Sequence, residues 1–172
     1  MRELTLPADT VGPVARGHPW VYRKGLRGEG ALGEPVRLVD SRGKPVAWGI
    51  WDEGEVAIRV LGREPEEMEV LLSRCVERAE RARLRGLGQN TDGYRLVNGA
   101  GDGLPGLVVD RYGPLAVLRL YSAAWIPHLD RVVATIARLG WVETVFRRFG
   151  VARVDGEKGG ETLSGPEAPE TL

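Results

Sequence analysis

The first third of the chain consists of short apolar segments with β-strand character, separated by turn-forming residues. The segment 56–61 alternates apolar and polar residues with a period of two, and residues 46–51 are rich in β-prone types. The candidate strands are 3–6, 36–40, 46–51 and 56–61, and the hairpin loops between the last three are 40–44 and 52–55. We therefore predict that residues 1–63 form a small β-rich domain, folded as a compact and partly closed barrel.

Residues 64–86 carry the clearest helical pattern. Pro65 suits a first turn, glutamates crowd the start, arginines crowd the end, and Gly86 stops the helix. The predicted apolar stripe contains Met68, Leu72, Cys75, Ala79 and Ala82. We interpret the arginines Arg78, Arg81, Arg83 and Arg85 as compensation of the helix dipole on a solvated face. Cys75 is interpreted as a packing residue, because it lies on the apolar stripe.

The second half of the chain mixes strand and helix patterns. After a polar break at 88–93, the predicted elements are strands at 94–97, 106–112 and 115–121, a helix at 125–139 and a strand at 142–149. This order predicts an α+β unit with a mostly antiparallel sheet. Residues 154–172 contain five acidic residues and few apolar ones, which favours a weakly structured tail. The predicted division is 1–63, a linking helix and loop at 64–92, and an α+β domain with an acidic tail at 93–172.

Charge and composition narrow the class of protein. The net charge is zero and the pI is near 6.8, which argues against tight autonomous binding of nucleic acid but leaves room for a local basic patch. Only three of the 24 cationic residues are lysines, a bias that suits RNA contacts but that a GC-rich genome also produces. The chain shows no transmembrane run, no signal peptide and one cysteine, so a cytoplasmic protein is expected.

Catalytic signals are scarce. The glycine-rich segment 99–106 leads into a β-prone run, whereas a phosphate-binding loop opens a helix, so we interpret it as a tight turn that joins two strands. The two histidines, His18 and His128, have no obvious carboxylate or metal-ligand partner in the sequence. We therefore assign no catalytic, metal-binding or cofactor-binding residue.

Aromatic and basic residues interleave between positions 16 and 24, in a loop-like setting. Such a mixture can stack on unpaired bases while its cations hold phosphates. The candidate RNA-binding residues are Arg16, His18, Trp20, Tyr22, Arg23 and Lys24. The alternative is that Trp20 and Tyr22 plug the barrel while the basic residues are merely exposed. Farther along, Trp48 and Trp51 are three positions apart and should point to different faces, one into the core and the other toward the rim.

Two stretches carry a family resemblance. The segment 17–22 (Gly-His-Pro-Trp-Val-Tyr), the strands at 46–51 and 56–61, and above all the nineteen residues 94–112 resemble the bacterial class I SAM-dependent large-subunit rRNA cytosine-C5 methyltransferases that begin with a PUA domain. The resemblance covers roughly residues 1–150. It implies a PUA domain that binds RNA, a linking helix, a central α+β domain and a C-terminal domain that holds S-adenosylmethionine and a catalytic cysteine.

The resemblance also implies what this chain lacks. Cys75 matches no catalytic cysteine of the family, and we expect the methyltransferase domain to be missing, so that this chain alone transfers no methyl group and binds no cofactor. The expected role is recognition of large-subunit rRNA, in partnership with a methyltransferase domain or a second copy.

Two other functions remain open. A protein-interaction or dimerisation module would self-associate without binding RNA. A free-standing enzyme would bind S-adenosylmethionine stoichiometrically.

Overall fold

The computed structural model describes residues 1–87, 91–156 and 158–168. Residues 88–90 of the predicted polar break at 88–93, and residues 157 and 169–172 of the predicted tail, lie outside the described residues. The chain forms two compact units. The first comprises Met1–Glu67 and Ser122–His128, and the second comprises Met68–Tyr121 and Leu129–Leu172.

The first unit is built on a five-stranded sheet. Its elements are β1 (Arg2–Thr5), α1 (Ala8–Ala15), β2 (Trp20–Tyr22), β3 (Pro35–Val39), β4 (Pro45–Trp51) and β5 (Val56–Gly62). The strand order is β1-β3-β4-β5-β2, with β1 parallel to β3 and the other neighbours antiparallel. The four predicted strands are confirmed. Helix α1 was missed because Gly12 and Pro13, both poor helix formers, lie inside it.

Both tryptophans of β4 are buried in the first unit. Trp48 is 1% exposed and Trp51 is 3% exposed, so the prediction that one of them reaches the rim is wrong. Glycines make room for both indoles. A Cβ at Gly62 would lie 3.0 Å from Nε1 of Trp48, and a Cβ at Gly30 would lie 2.7 Å from the Trp51 ring. The sequence pattern of β4 alone does not show these distant glycines.

A short segment from the middle of the chain completes the first unit. The 3₁₀ helix Ala123–His128 buries Trp125 completely, and Nε2 of His128 lies 2.9 Å from the carbonyl oxygen of Gly33. The predicted helix at 125–139 is therefore two elements, this 3₁₀ helix with Pro127 inside it and α3 (Leu129–Ile136), which belongs to the second unit.

The second unit contains a mostly antiparallel sheet, as predicted. Its other elements are α2 (Met68–Gly86), β6 (Gly93–Asn98), the 3₁₀ turn Gly99–Asp102, β7 (Leu107–Tyr112), β8 (Leu115–Leu120), β9 (Thr144–Arg148), α4 (Ala152–Asp155) and β10 (Gly160–Ser164). The order is β10-β9-β8-β7-β6, and only the pair β8–β9 is parallel among the described strands. Strand β10 corrects the prediction of a weakly structured tail, because its backbone pairs with β9 despite few apolar residues.

Helix α2 begins at Met68 rather than at residue 64. Its predicted stripe is buried except for Ala82, which is exposed, and Cys75 is 1% exposed as expected of a packing residue. Of the arginines interpreted as a solvated face, Arg78, Arg81 and Arg85 are exposed, whereas Arg83 is half-buried. Two of these arginines also bind the glycine-rich turn. Arg83 forms an ion pair with Asp102 at 2.5 Å, and Nη2 of Arg78 donates to the Asp102 carbonyl at 2.9 Å. These contacts fasten α2 to the glycine-rich turn.

The predicted division at 63 and 92 stays a prediction of domain organisation. The compact units differ from it in that α2 belongs with the second unit and residues 122–128 belong with the first.

Candidate RNA interface

The six candidate residues lie along one edge of the first unit. Arg16 caps the C-terminal end of α1, and Gly17 then turns the chain with a φ of +98°. The chain continues into β2, which is the last strand in the sheet order and pairs with β5 alone among the described strands. An edge strand of this kind leaves one side of its backbone open to a partner.

Three of the six candidate residues are exposed, and the other three are half-buried. Arg16 and Lys24 are exposed, and neither side chain forms a hydrogen bond or ion pair within residues 1–87, 91–156 and 158–168. Tyr22 is 55% exposed, so it does not plug the core. The neighbouring Val21, 1% exposed, points inward instead. The arrangement presents two cations and one aromatic ring at the same edge.

His18 and Trp20 form a packed aromatic pair. Their ring centroids are 4.9 Å apart with the planes at 66°, and both residues are half-buried. Nε1 of Trp20 is buried and has no hydrogen-bond partner among the described residues. For Trp20, the barrel-packing alternative therefore accounts for much of the side chain, whereas for Tyr22 it does not.

The Arg23 side chain is bonded within the first unit. Its Nε donates to the Gly54 carbonyl at 3.1 Å, its Nη2 donates to the Asp52 carbonyl at 2.5 Å, and its guanidinium lies 5.2 Å from the centre of the Trp51 ring. These contacts tie the end of β2 to the β4–β5 hairpin. The side chain holds the edge in place and is half-buried, unlike Lys24 beside it.

A further cation lies close to the candidate edge. Nη2 of Arg63 donates to the carbonyl of Ala15 at 3.1 Å, across a separation of 48 residues. Sequence reasoning missed Arg63, because no local pattern links it to α1. A hydrogen bond to the last carbonyls of a helix is a common role for arginine, so Arg63 adds positive charge beside Arg16.

Two carboxylates of the first unit have lowered pKa values. The backbone N–H of Ala31 and then the guanidinium of Arg2 hold the pKa of Glu34 below its ordinary value. The backbone N–H groups of Lys44 and Arg42 do the same for the pKa of Asp40. Both stabilise turns of the sheet, because hydrogen bonds to the ionised form favour that form.

The glycine-rich segment is a turn between strands, as predicted. The 3₁₀ turn Gly99–Asp102 follows β6, Gly103 takes a φ of +85°, and the chain enters β7 at Leu107. Since no helix opens after this turn, it lacks the helix N-terminus on which a dinucleotide or methyl-donor loop depends. Within the described residues, no group of three His, Cys, Asp or Glu side chains is placed to hold a metal ion. The part of the chain that the structure describes contains no helix long and apolar enough to cross a membrane.

The edge described above lies in a segment that matches a known domain family. The profile of the PUA-like domain matches residues 4–63. The first unit contains a PUA-like domain. Most of the chain is also homologous to large-subunit rRNA methyltransferases. A ribosomal RNA large subunit methyltransferase from Deinococcus radiodurans is 39% identical over 132 residues, which are 70% of this chain and 32% of that protein. The ribosomal RNA large subunit methyltransferase I of Escherichia coli K12 is 32% identical over 166 residues, 90% of this chain and 41% of that protein.

Solved structures give the same fold. A protein from Streptococcus mutans assigned as a SAM-dependent methyltransferase superposes with a TM-score of 0.84 over 99% of this chain and 45% of its own, at 17% identity. A second structure, the assigned methyltransferase SMU.776 complexed with SAH, also gives 0.84 at 17% identity, over 99% of this chain and 44% of its own. The chain thus spans less than half the length of the proteins that it matches.

Proposed function

We propose that this chain is the rRNA-recognition portion of a SAM-dependent large-subunit rRNA methyltransferase. The observation that carries the proposal is a PUA-like domain within a chain homologous to large-subunit rRNA methyltransferases. Its partner is then large-subunit rRNA, its place of action is the cytoplasm, and cytosine C5 is the target that the family resemblance implies.

The candidate edge supplies RNA-binding chemistry from different side chains. Arg16 and Lys24 contact phosphates, since both cations are exposed and have no protein partner among the described residues. Tyr22 offers an exposed ring on which an unpaired base stacks. His18 and Trp20 pack against each other in the segment that leads into this strand, and Arg23 positions the strand through its bonds to the β4–β5 hairpin.

Neither Cys75 nor the glycine-rich turn fits a role in methyl transfer. Cys75 is 1% exposed and packs inside the second unit, so its thiol does not reach a base. The glycine-rich turn leads into β7 rather than into a helix. We therefore assign no residue of this chain to S-adenosylmethionine and derive no chemical step from it.

The test uses fluorescence anisotropy with a labelled fragment of large-subunit rRNA. The variant Arg16→Ala/Lys24→Ala removes the two exposed cations. The matched control, Arg42→Ala/Lys44→Ala, removes the same charge from the β3–β4 hairpin of the same unit. We expect the first variant to bind more weakly and to lower the slope of log K against log salt by roughly 1.4 to 1.8, for two phosphate contacts. Equal binding by both variants would show that this edge is not the interface.

A further inference from the structure

The second unit contains a cleft that the proposed function does not use. It lies on one face of the sheet beside β8, β9 and β10 and has a volume of about 1070 Å³. The cationic and aromatic residues that line it are Arg119, Tyr121, Phe146, Arg148, Phe149 and Lys158. The cleft therefore combines three cations with three aromatic rings.

Strand register explains why two of the cations share one face. In the parallel pair β8–β9, Val117 lies opposite Phe146, and Leu118 lies opposite Arg147. Because side chains alternate between faces along a strand, Arg119 and Arg148 lie on the same face as Phe146. Both arginines line the cleft.

The cations of the cleft are not neutralised by the described parts of the protein. Arg147, on the opposite face, forms ion pairs with Asp155 at 2.8 Å and Glu161 at 3.4 Å. Its neighbour Arg148 is exposed, and within residues 1–87, 91–156 and 158–168 neither it nor Arg119 nor Lys158 has a hydrogen bond or ion pair.

Two glutamates also line the cleft. Glu161 lies opposite Arg147 in the β9–β10 register and pairs with it, so its carboxylate belongs to the other face of the sheet. Glu167 carries the other negative charge. Three cations against these two carboxylates, one of them already engaged, leave a positive surface. An anionic ligand complements that charge.

Aromatic rings also line the cleft and offer surfaces for stacking. Tyr121 is 38% exposed and Phe146 is half-buried. The Phe149 ring is engaged within the protein, because the Arg147 guanidinium lies 4.9 Å from its centre. Gly160 lies opposite Arg148 on β10, and a Cβ at this position would collide with the Phe146 ring and the Arg147 carbonyl. The absence of a side chain there leaves the Phe146 ring in place along the wall of the cleft.

We propose that this cleft is a second RNA contact, which takes a single-stranded segment with its phosphates on Arg119, Arg148 and Lys158 and its bases against Tyr121 and Phe146. Cations that follow a backbone, together with rings that accept any base, are how proteins hold unpaired strands. A duplex fits less well, because its bases are not available to stack. The inference rests on the proposed function and extends it from the first unit to the second.

The experiment measures binding of the whole chain to a fluorescein-labelled single-stranded RNA of about 12 nucleotides, a length within the usual site sizes. The variant Arg119→Ala/Arg148→Ala/Lys158→Ala is compared with wild type. The control variant Arg74→Ala/Arg81→Ala/Arg138→Ala removes three exposed cations from the helical regions of the same unit. Circular dichroism establishes that each variant is folded.

We expect the RNA affinity of the cleft variant to depend less steeply on salt than that of the wild type. Three contacts to a single strand correspond to a slope of about 2, so between about 50 and 200 mM salt the wild type should lose about 20-fold more affinity than the variant. The control should follow the wild type. A cleft variant that binds as the wild type does, while Arg16→Ala/Lys24→Ala is weakened, would overturn this inference and leave the proposed function standing. Wild type that binds no RNA would overturn both.

Discussion

A buried ion pair in the first unit gives the sharpest prediction about stability. Asp52 and Arg59 are 2.9 Å apart, with side chains only 5% and 12% exposed, and the hydroxyl of Ser122 donates to the same carboxylate at 2.7 Å. The substitution Asp52→Asn removes the negative charge and keeps the shape. Removing one partner of a buried pair costs about 3–5 kcal/mol, because the other charge is left uncompensated. Set against the stability of about 5–15 kcal/mol that is usual for a protein, this loss is large.

The assay is urea unfolding followed by tryptophan fluorescence. Four of the five tryptophans, at positions 20, 48, 51 and 125, belong to the first unit, so the signal reports mainly on it. Ser122→Ala is the milder control, with a cost of about 1–2 kcal/mol for the lost hydrogen bonds. The double variant Asp52→Asn/Arg59→Met should recover much of the loss, because it removes the charge left behind.

Two results would refute this reasoning. One is a cost below about 1 kcal/mol for Asp52→Asn, which would mean that solvent screens the pair as it screens a surface pair. The other is that the destabilisation by Asp52→Asn/Arg59→Met equals the sum of the effects of Asp52→Asn and Arg59→Met measured singly. Substitutions of two residues in direct contact should not have additive effects on stability.

Three further predictions concern the same unit. Gly49→Ala should cost about 1–3 kcal/mol or more, because its Cβ would collide with the Arg59 carbonyl and lie 2.8 Å from Cγ2 of Ile58. Gly54→Ala, with open space around its Cβ, should stay within about 0.5 kcal/mol in the same urea assay. The lowered pKa of Glu34 means that its contribution is present above the ordinary value of 4.5 and is lost as pH falls through the lowered value. The urea midpoints of wild type and Glu34→Gln should therefore differ at neutral pH and converge as the pH falls through the lowered pKa, and a constant difference would contradict the assignment. Arg23→Ala should lower the thermal midpoint, because the guanidinium bonds two backbone carbonyls, whereas Lys24→Ala should leave it unchanged; equal midpoints would remove the scaffold role.

The sequence predicted the elements whose signals are local. The alternation at 56–61 and the apolar stripe of α2 each depend on residues that are close together in the sequence. Both β5 and α2 are present in the structure. Helix α1 has a weak local signal, because Gly12 and Pro13 conceal it. The glycine-rich turn was recognised because the residues that follow it are β-prone.

Features that join distant parts of the chain were beyond local reasoning. Ser122 reaches Asp52 across 70 positions, and nothing near either residue indicates the contact. Arg23 and Lys24 are adjacent cations in the same sequence surroundings. Arg23 nevertheless donates hydrogen bonds to the β4–β5 hairpin, whereas Lys24 is exposed. The candidate edge was predictable as a region because aromatic and basic residues interleave there. Which side chains are exposed follows only from the fold.

Whether the chain recognises large-subunit rRNA is tested most directly by competition. A labelled fragment of that rRNA is bound to the whole chain at about 150 mM salt, and unlabelled transfer RNA is added in increasing excess, because nonspecific electrostatic binding is weak and easily displaced at this salt. The account predicts that the complex survives the excess of transfer RNA and is displaced by the unlabelled rRNA fragment. Failure to bind even at low salt, or equal displacement by both RNAs, would contradict it.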